Sequence, residues 1–157
     1  GMGSMVSHGQ RDRALNMVKE AQDQGATLAT GGSAPNNAGA FLTPTVMDVT
    51  PDMTIARDEV FGPVLSVMKF TQDDEAIEIA NSTDYGLVSG VFTADLDRAN
   101  RAAQKLRAGQ VFVNEWYAGG VETPFGGYGK SGYGREKGRE ALWNYVQTKN
   151  IAMKIGK

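Results

Sequence analysis

The 157-residue chain is long enough for one domain with a real core, and 41% hydrophobic against 22% charged residues is the balance of an ordinary soluble globular protein. Sixteen basic and eighteen acidic side chains leave a net charge of −2, so no overall field favours nucleic acid or an anionic membrane as partner. The absence of cysteine excludes disulfides, cysteine-ligated metals and a thiolate nucleophile from within the chain. No apolar run is long enough to span a bilayer, and "GMGSMVSHGQ" lacks the charged and apolar regions of a signal peptide, so the expected setting is cytoplasmic. Gly1 ahead of Met2 looks like a residue left by tag removal.

In chain order, Ser7 and Gln10 have capping-box spacing, and Ala14, Met17, Val18 and Ala21 recur on one helical face, predicting a helix over residues 8–24 that Gly25 stops. "ATLAT" is a short strand, "GGSAPNNAG" a turn-rich loop, and "AFLTPTVMDV" a second strand that Pro44 places near an edge or bend. "PVLSVMKF" is the clearest strand. The early acids of "TQDDEAIEIANS" then suit a helix N-terminus. "LVSGVFT" returns to strand, Asp95 caps a helix over "LDRANRAAQKLR", Gly109 ends it, and "QVFVN" is strand again. This alternation is the rhythm of an α/β fold with crossover helices. A glycine-rich loop, a helix over "REKGREALWNYV" and an amphipathic strand "TKNIAMKI" complete the chain, with no internal repeat and no linker between independent domains.

The stretch "PFGGYGKSGYGRE", residues 124–136, holds two nucleotide-binding patterns at once. Gly127, Gly129 and Gly132 spell G-x-G-x-x-G, but that fingerprint requires a strand immediately before it and an acid about 20 residues after it. The nearest strand ends at Asn114, and no Asp or Glu follows Glu140. The P-loop pattern ending at Gly129-Lys130-Ser131 fails because Pro124 stands where its first glycine belongs. What remains is a glycine-rich segment wrapped closely around other backbone.

Several stretches together resemble the NAD(P)-dependent aldehyde dehydrogenase family. "EVFGPVLSV" is similar to its E-x-F-G-P motif and "PFGGYGKSGYGREKG" to its P-F-G-G-x-x-x-S-G-x-G-R-E segment, with "DYGLVSGVFTADLDRANRAAQKLRAGQVFVNEW" correctly placed between them. The resemblance runs from about Gly3 to Lys154; Ser4 departs from it where proline is common. It implies an α/β fold that is the C-terminal part of the family's catalytic domain over residues 1–147, followed by an oligomerisation strand over 148–157. It also implies that Glu59 hydrogen-bonds the ribose next to nicotinamide and that Phe61 packs near that ring. A carboxylate can accept two hydroxyl hydrogen bonds, and an aromatic ring supplies a flat apolar wall. From the residues alone, Glu59 reads as a surface carboxylate and Phe61 as core. The loop Glu115–Phe125 corresponds to the substrate-entrance wall, where Trp116, Tyr117 and Phe125 would build an apolar tunnel that Ala118, Gly119 and Gly120 leave roomy enough for a bulky or aromatic aldehyde. Asn114 either orients that loop or caps the strand end.

The family mechanism uses a cysteine thiolate, hydride transfer to NAD or NADP, and a glutamate-activated water, and the resemblance places the cysteine, the glutamate and the Rossmann domain upstream of Gly1. The chain is therefore expected to carry no catalytic and no metal-binding residues of its own. His8, the only histidine, reads as a surface or capping residue, and Asp73, Asp74 and Glu75 as the solvated start of a helix. Two readings follow. One is the C-terminal part of an aldehyde dehydrogenase, a truncated gene product or excised piece, that binds NAD or NADP weakly or not at all alone and meets an aldehyde only in the complete enzyme. The other is a stand-alone interaction module that forms a homo-oligomer through the terminal strand, which would otherwise fold back as an ordinary edge.

Overall fold

A computed structural model describes residues 2–36 and 39–156, so Asn37 and Ala38 of the turn-rich loop and Lys157 of the expected terminal strand lie outside the described residues. The chain divides into two compact units, Gly1–Ser82 and Thr83–Lys157. The boundary runs through "NSTDYG", where no change of composition marks it.

In the first unit, helix α1 (His8–Asp23) starts where expected, with the Ser7 side chain accepting from the Gln10 backbone N–H at 3.1 Å. It ends in a Schellman motif: the Gly25 N–H donates to the Gln22 carbonyl, the Ala26 N–H donates to the Ala21 carbonyl, and Gly25 takes φ 101°. Strands β1 (Thr27–Thr30), β2 (Thr45–Asp48) and β3 (Val64–Val67) form one mixed sheet in that order, antiparallel between β1 and β2 and parallel between β2 and β3. Pro44 does not put β2 at an edge. It lies just before the strand, shortening the expected run over 40–49 to four residues, and β2 is then hydrogen-bonded on both sides. Between β2 and β3 lies a one-turn helix, α2 (Thr54–Arg57), too short to leave a periodic signature in the sequence. Helix α3 (Asp73–Ala80) closes the unit, with its three acids in the first turn as expected.

The apolar face read from the sequence is the core of this unit. Ala14, Met17, Val18 and Ala21 of α1 share one cluster with Leu42, Met47, Val49, Met53, Ile55 and Val60. Met47, at the middle of the sheet, is fully buried.

The second unit is built differently. Strands β5 (Val88–Val91) and β6 (Gln110–Val113) are parallel and joined by helix α4 (Leu96–Lys105), the expected crossover unit, and the Asp95 carboxylate caps α4 by accepting from the Arg98 N–H at 3.0 Å. Strands β4 (Tyr85–Gly86) and β7 (Tyr128–Gly129) pair antiparallel over two residues each. Gly109 does not end α4. The helix stops at Lys105, and Gly109 instead lets two backbones touch: a Cβ added there would lie 1.6 Å from the Gly126 carbonyl oxygen. The helix expected over 135–146 is a 3-10 helix confined to Arg139–Tyr145, because Gly138 at φ 58° interrupts the turn before it. Leu142, Trp143 and Tyr145 stay exposed, so this short helix buries none of its apolar residues among the described residues. Among the described residues, 146–156 form no β-ladder within the chain. A strand requires hydrogen-bonded neighbours, and Ile151, Met153 and Ile155 remain exposed. No helix among the described residues is long and apolar enough to cross a membrane.

Truncating the central side chain, Met47→Ala, is expected to destabilise the first unit by about 2–5 kcal/mol, read as faster amide exchange throughout β2 and α1. Gly109→Ala should cost the second unit about 1–3 kcal/mol by forcing the Gly126 backbone away. Both tryptophans, Trp116 and Trp143, lie in that unit, so their fluorescence during denaturation isolates the effect.

Stability should also fall in acid. The Thr71 backbone N–H and hydroxyl hold the Glu75 carboxyl below its ordinary value of 4.5, and the Arg98 backbone N–H does the same to Asp95, ordinarily 3.8. Carboxyls with folded values below their unfolded ones stabilise the fold above the unfolded value and lose that contribution as pH falls through the folded one. The denaturation midpoint is therefore expected to be flat from neutral pH down to about 5 and to drop below about 4. Asp95→Asn, which keeps a cap acceptor that does not titrate, should lessen the drop.

Candidate functional site

The residues singled out in the sequence fall in two places, Glu59 and Phe61 in the first unit and the entrance residues in the second. Glu59–Gly62 belong to neither helix nor strand; they connect α2 to β3. Val60 is buried in the core while its neighbours Glu59 and Phe61 are turned outward, Phe61 with 64% of its surface exposed. Phe61 is thus a displayed ring and not a core residue. Its backbone sits at φ 52°, a region that residues with a Cβ normally avoid, so something must hold it there. The Gln10 side-chain NH2 donates to the Val60 and Phe61 carbonyls, both at 3.1 Å. Gly62 then passes close to α1, where an added Cβ would meet Met5 Cε at 3.1 Å and Ala14 Cβ at 3.4 Å. The sequence assigned Gln10 only to helix capping, and no local pattern reveals a bond to residues fifty positions away.

In the second unit the entrance loop starts at Asn114, which takes φ 56° and spans Thr93 with its amide. Its Oδ1 accepts from the Thr93 N–H and its Nδ2 donates to the Thr93 carbonyl, both at 2.8 Å. The side chain so continues the β5–β6 ladder by one more rung, orienting the loop and ending the strand at once. Phe112, Trp116 and Tyr117 form an aromatic group with centroids 5.6 to 6.1 Å apart. A cavity of about 260 Å³ is lined by Phe112, Tyr117, Ala118, Gly119 and Phe125, together with Glu136 and Lys137. Trp116 lies against Gly90 of β5, where an added Cβ would come within 2.8 Å of its ring. Gly119 takes φ 102° beside Thr123, so the roomy part of the loop rests on a conformation that glycine adopts without strain. The Lys137 ammonium lies 5.7 Å from the Phe125 ring centroid, at the edge of cation–π range.

The glycine-rich segment is a backbone packing device. Lys130, which mimics a P-loop lysine, is paired through its ammonium with the Asp84 carboxylate at 2.8 Å, while its backbone N–H donates to the Asp84 carbonyl. That lysine, by its hydrogen bond and then by its charge, holds the Asp84 carboxyl below the usual range. Ser131 Oγ accepts from the Gly86 N–H at 3.1 Å, so the hydroxyl a P-loop would turn to magnesium is turned to backbone. Arg135 ties the segment together from one side, with its guanidinium donating to the Gly127 and Gly134 carbonyls and stacked 5.4 Å from the Tyr128 ring centroid. His8 is the exposed first residue of α1, and the acids at 73–75 form the first turn of α3. No three His, Asp or Glu side chains are grouped to hold a metal ion among the described residues.

Comparison with known proteins accounts for nearly the whole chain. The family model described as Aldehyde dehydrogenase family matches residues 1–151. The betaine aldehyde dehydrogenase of Brucella anthropi is 47% identical over 161 aligned positions, covering 99% of this chain and 33% of the relative. Among solved structures, the NAD+ complex of aldehyde dehydrogenase from Bacillus cereus superposes with a TM-score of 0.91 at 44% identity, over 99% of this chain and 32% of that one. The NAD-dependent aldehyde dehydrogenase from Sinorhizobium meliloti superposes with the same TM-score at 40% identity, over 99% of this chain and 31% of that one. The chain thus spans about a third of the length of the relatives it matches. On a family model matched over almost its full length, the chain belongs to the aldehyde dehydrogenase family.

Proposed function

We propose that this chain is the C-terminal part of an NAD(P)-dependent aldehyde dehydrogenase, contributing a cofactor contact and a substrate-entrance wall to the oxidation of an aldehyde to a carboxylic acid, and inactive by itself. The observation that carries the proposal is that Glu59 and Phe61 are both exposed, on either side of the buried Val60, on a loop hydrogen-bonded to α1, in a chain of 157 residues that holds no cysteine. Glu59 would accept the ribose hydroxyls of the cofactor and Phe61 would wall one side of the nicotinamide ring. The cofactor supplies a hydride acceptor; the cysteine nucleophile and the general base would come from the part of the enzyme that this chain does not cover. Bacillus cereus and Sinorhizobium meliloti relatives described with NAD+ or as NAD-dependent favour NAD as that cofactor.

Trp116, Tyr117, Ala118, Gly119 and Phe125 would form the entrance wall, a face suited to a bulky or aromatic aldehyde. The Brucella relatives carry the name betaine aldehyde dehydrogenase. An aldehyde bearing a quaternary ammonium would be drawn to the exposed aromatic faces of that wall, Tyr117 above all, because Lys137 already lies near the Phe125 ring.

Incubated with NAD+ and an aldehyde, the chain alone should form no NADH above buffer, read by absorbance; turnover at an enzyme-like rate would overturn the proposal. NAD+ binding to the isolated chain should be weak, in the millimolar range, and reduced further in Glu59→Ala, as ligand-observed NMR would report.

The exposed Ile151, Met153 and Ile155 support a homo-oligomer joined through the terminal segment. Light scattering after size exclusion should give a discrete assembly, and replacing Ile151 and Ile155 with lysine should dissociate it. A strictly monomeric wild-type chain at high concentration would speak against that contact.

A further inference from the structure

We propose that Gln10 is a positioning residue for the Glu59–Gly62 loop, holding the backbone turn from which Glu59 and Phe61 face the cofactor. The inference rests on the cofactor reading of those two residues for its functional meaning, while the structural coupling stands on its own geometry. The loop has no ladder to fix it. Its inner anchor is the buried Val60, and Phe61 beside it occupies φ 52°, where a Cβ is crowded. Adjacent carbonyls at 60 and 61 turn toward one side-chain nitrogen, each at 3.1 Å. Only a group with two N–H protons can satisfy both at once, so the NH2 end of Gln10 must face the loop.

Gln10 is itself well held. Its backbone N–H is capped by Ser7, and it sits one turn before Ala14, whose Cβ a side chain added at residue 62 would meet at 3.4 Å. In a capping box a glutamine at this position would return its side chain to the cap residue's backbone. Here it reaches across to residues 60 and 61, so the start of α1 is a bracket for the loop. Removing the two donors would leave the carbonyls unpaired and the left-handed turn at Phe61 unsupported. The expected consequence is that the backbone carrying the carboxylate and the ring loses its fixed conformation while the core below it stays intact.

The experiment uses the 157-residue chain, labelled with ¹⁵N, as wild type and as Gln10→Met and Gln10→Glu. Gln10→Met keeps length and volume without donors. Its amides at 61 and 62, each joined to one of the two freed carbonyls, should shift clearly, while those of β2 and of α1 beyond its first turn stay unchanged. Gln10→Glu supplies a readout that mere volume would not move. Above its titration the carboxylate repels both carbonyls, and below it the protonated group donates to one of them, so the loop shifts should reverse with a midpoint at or above about 4. It also keeps the test alive should Gln10→Met fold poorly. Loop amides that match wild type in both variants across the titration would overturn the inference. Titration with NAD+ separates it from the cofactor reading. If the loop moves in Gln10→Met but NAD+ leaves the wild-type spectrum untouched, the positioning role stands and the cofactor reading fails. NAD+-induced shifts of equal size and midpoint in wild type and Gln10→Met would overturn the positioning role.

Discussion

The first unit depends on one packing relation, the seating of the small-residue face of α1 in the core around Met47. Ala14 and Ala21 have no bulk to keep the helix away from its neighbours, so the helix can approach closely enough for its first turn to serve a second purpose. Near Ala14, that approach leaves little room for a side chain at residue 62 and puts the Gln10 amide within reach of two carbonyls. The hydrophobic core and the displayed loop are thus two consequences of one helix position. A shift of α1 that the core might tolerate at small cost would break both hydrogen bonds, because these fail within a few tenths of an ångström beyond their normal range.

The second unit relies on close approach of backbones more than on buried apolar side chains. Its buried apolar residues are Ala99, Ala102 and Phe112, a small set beside the ten-residue cluster of the first unit. Glycine makes up the difference. Gly86 lies under the Arg107 carbonyl, Gly109 under Gly126, and Gly129 under the Asp84 carbonyl, each at a distance that no residue with a Cβ permits. These positions are fixed by peptide groups, which are rigid, and not by side chains, which can rotate away. This is also why "PFGGYGKSGYGRE" resembles a nucleotide-binding pattern without behaving as one. Both uses need glycine for backbone proximity, but a phosphate cradle leaves its N–H groups free for the anion. Here Asp84 receives the Lys130 N–H and ammonium together, and Ser131 receives Gly86.

Much of the exposed apolar surface belongs to residues with no visible task in folding this segment. Leu65 and Val67 on β3, Phe92, Leu96 and the row from Leu142 to Ile155 are large and open to solvent. In a chain that spans about a third of its relatives, such surface is what contact with other parts of an enzyme or with a second subunit would cover. Under the proposed function the same logic would apply to Glu59 and the entrance aromatics, whose exposed faces would meet an opposite wall supplied from elsewhere.

Sequence and structure divide the explanation along a physical line. Local chemistry was legible: the Ser7 cap, the Gly25 stop, the Asp95 cap and the apolar stripe of α1 all follow from residues a few positions apart. The two long motifs also identified the family, since their order and spacing are properties of the chain itself. Legibility failed where distant residues decide. Gly109 read as a helix stop until its neighbour across the fold proved to be Gly126; of the edge or bend that Pro44 signalled, the edge fails, since it stands just outside a strand paired on both sides. The helix read over 135–146 is only a 3-10 turn, because its apolar residues stay exposed among the described residues. The sequence by itself determined the family and the local elements, because propensity, capping and motif spacing act over a few residues. Only the tertiary structure decided that Gln10 holds the Glu59 loop and that Lys130 is already paired, because such bonds depend on which distant groups the packed core brings within about 3 Å.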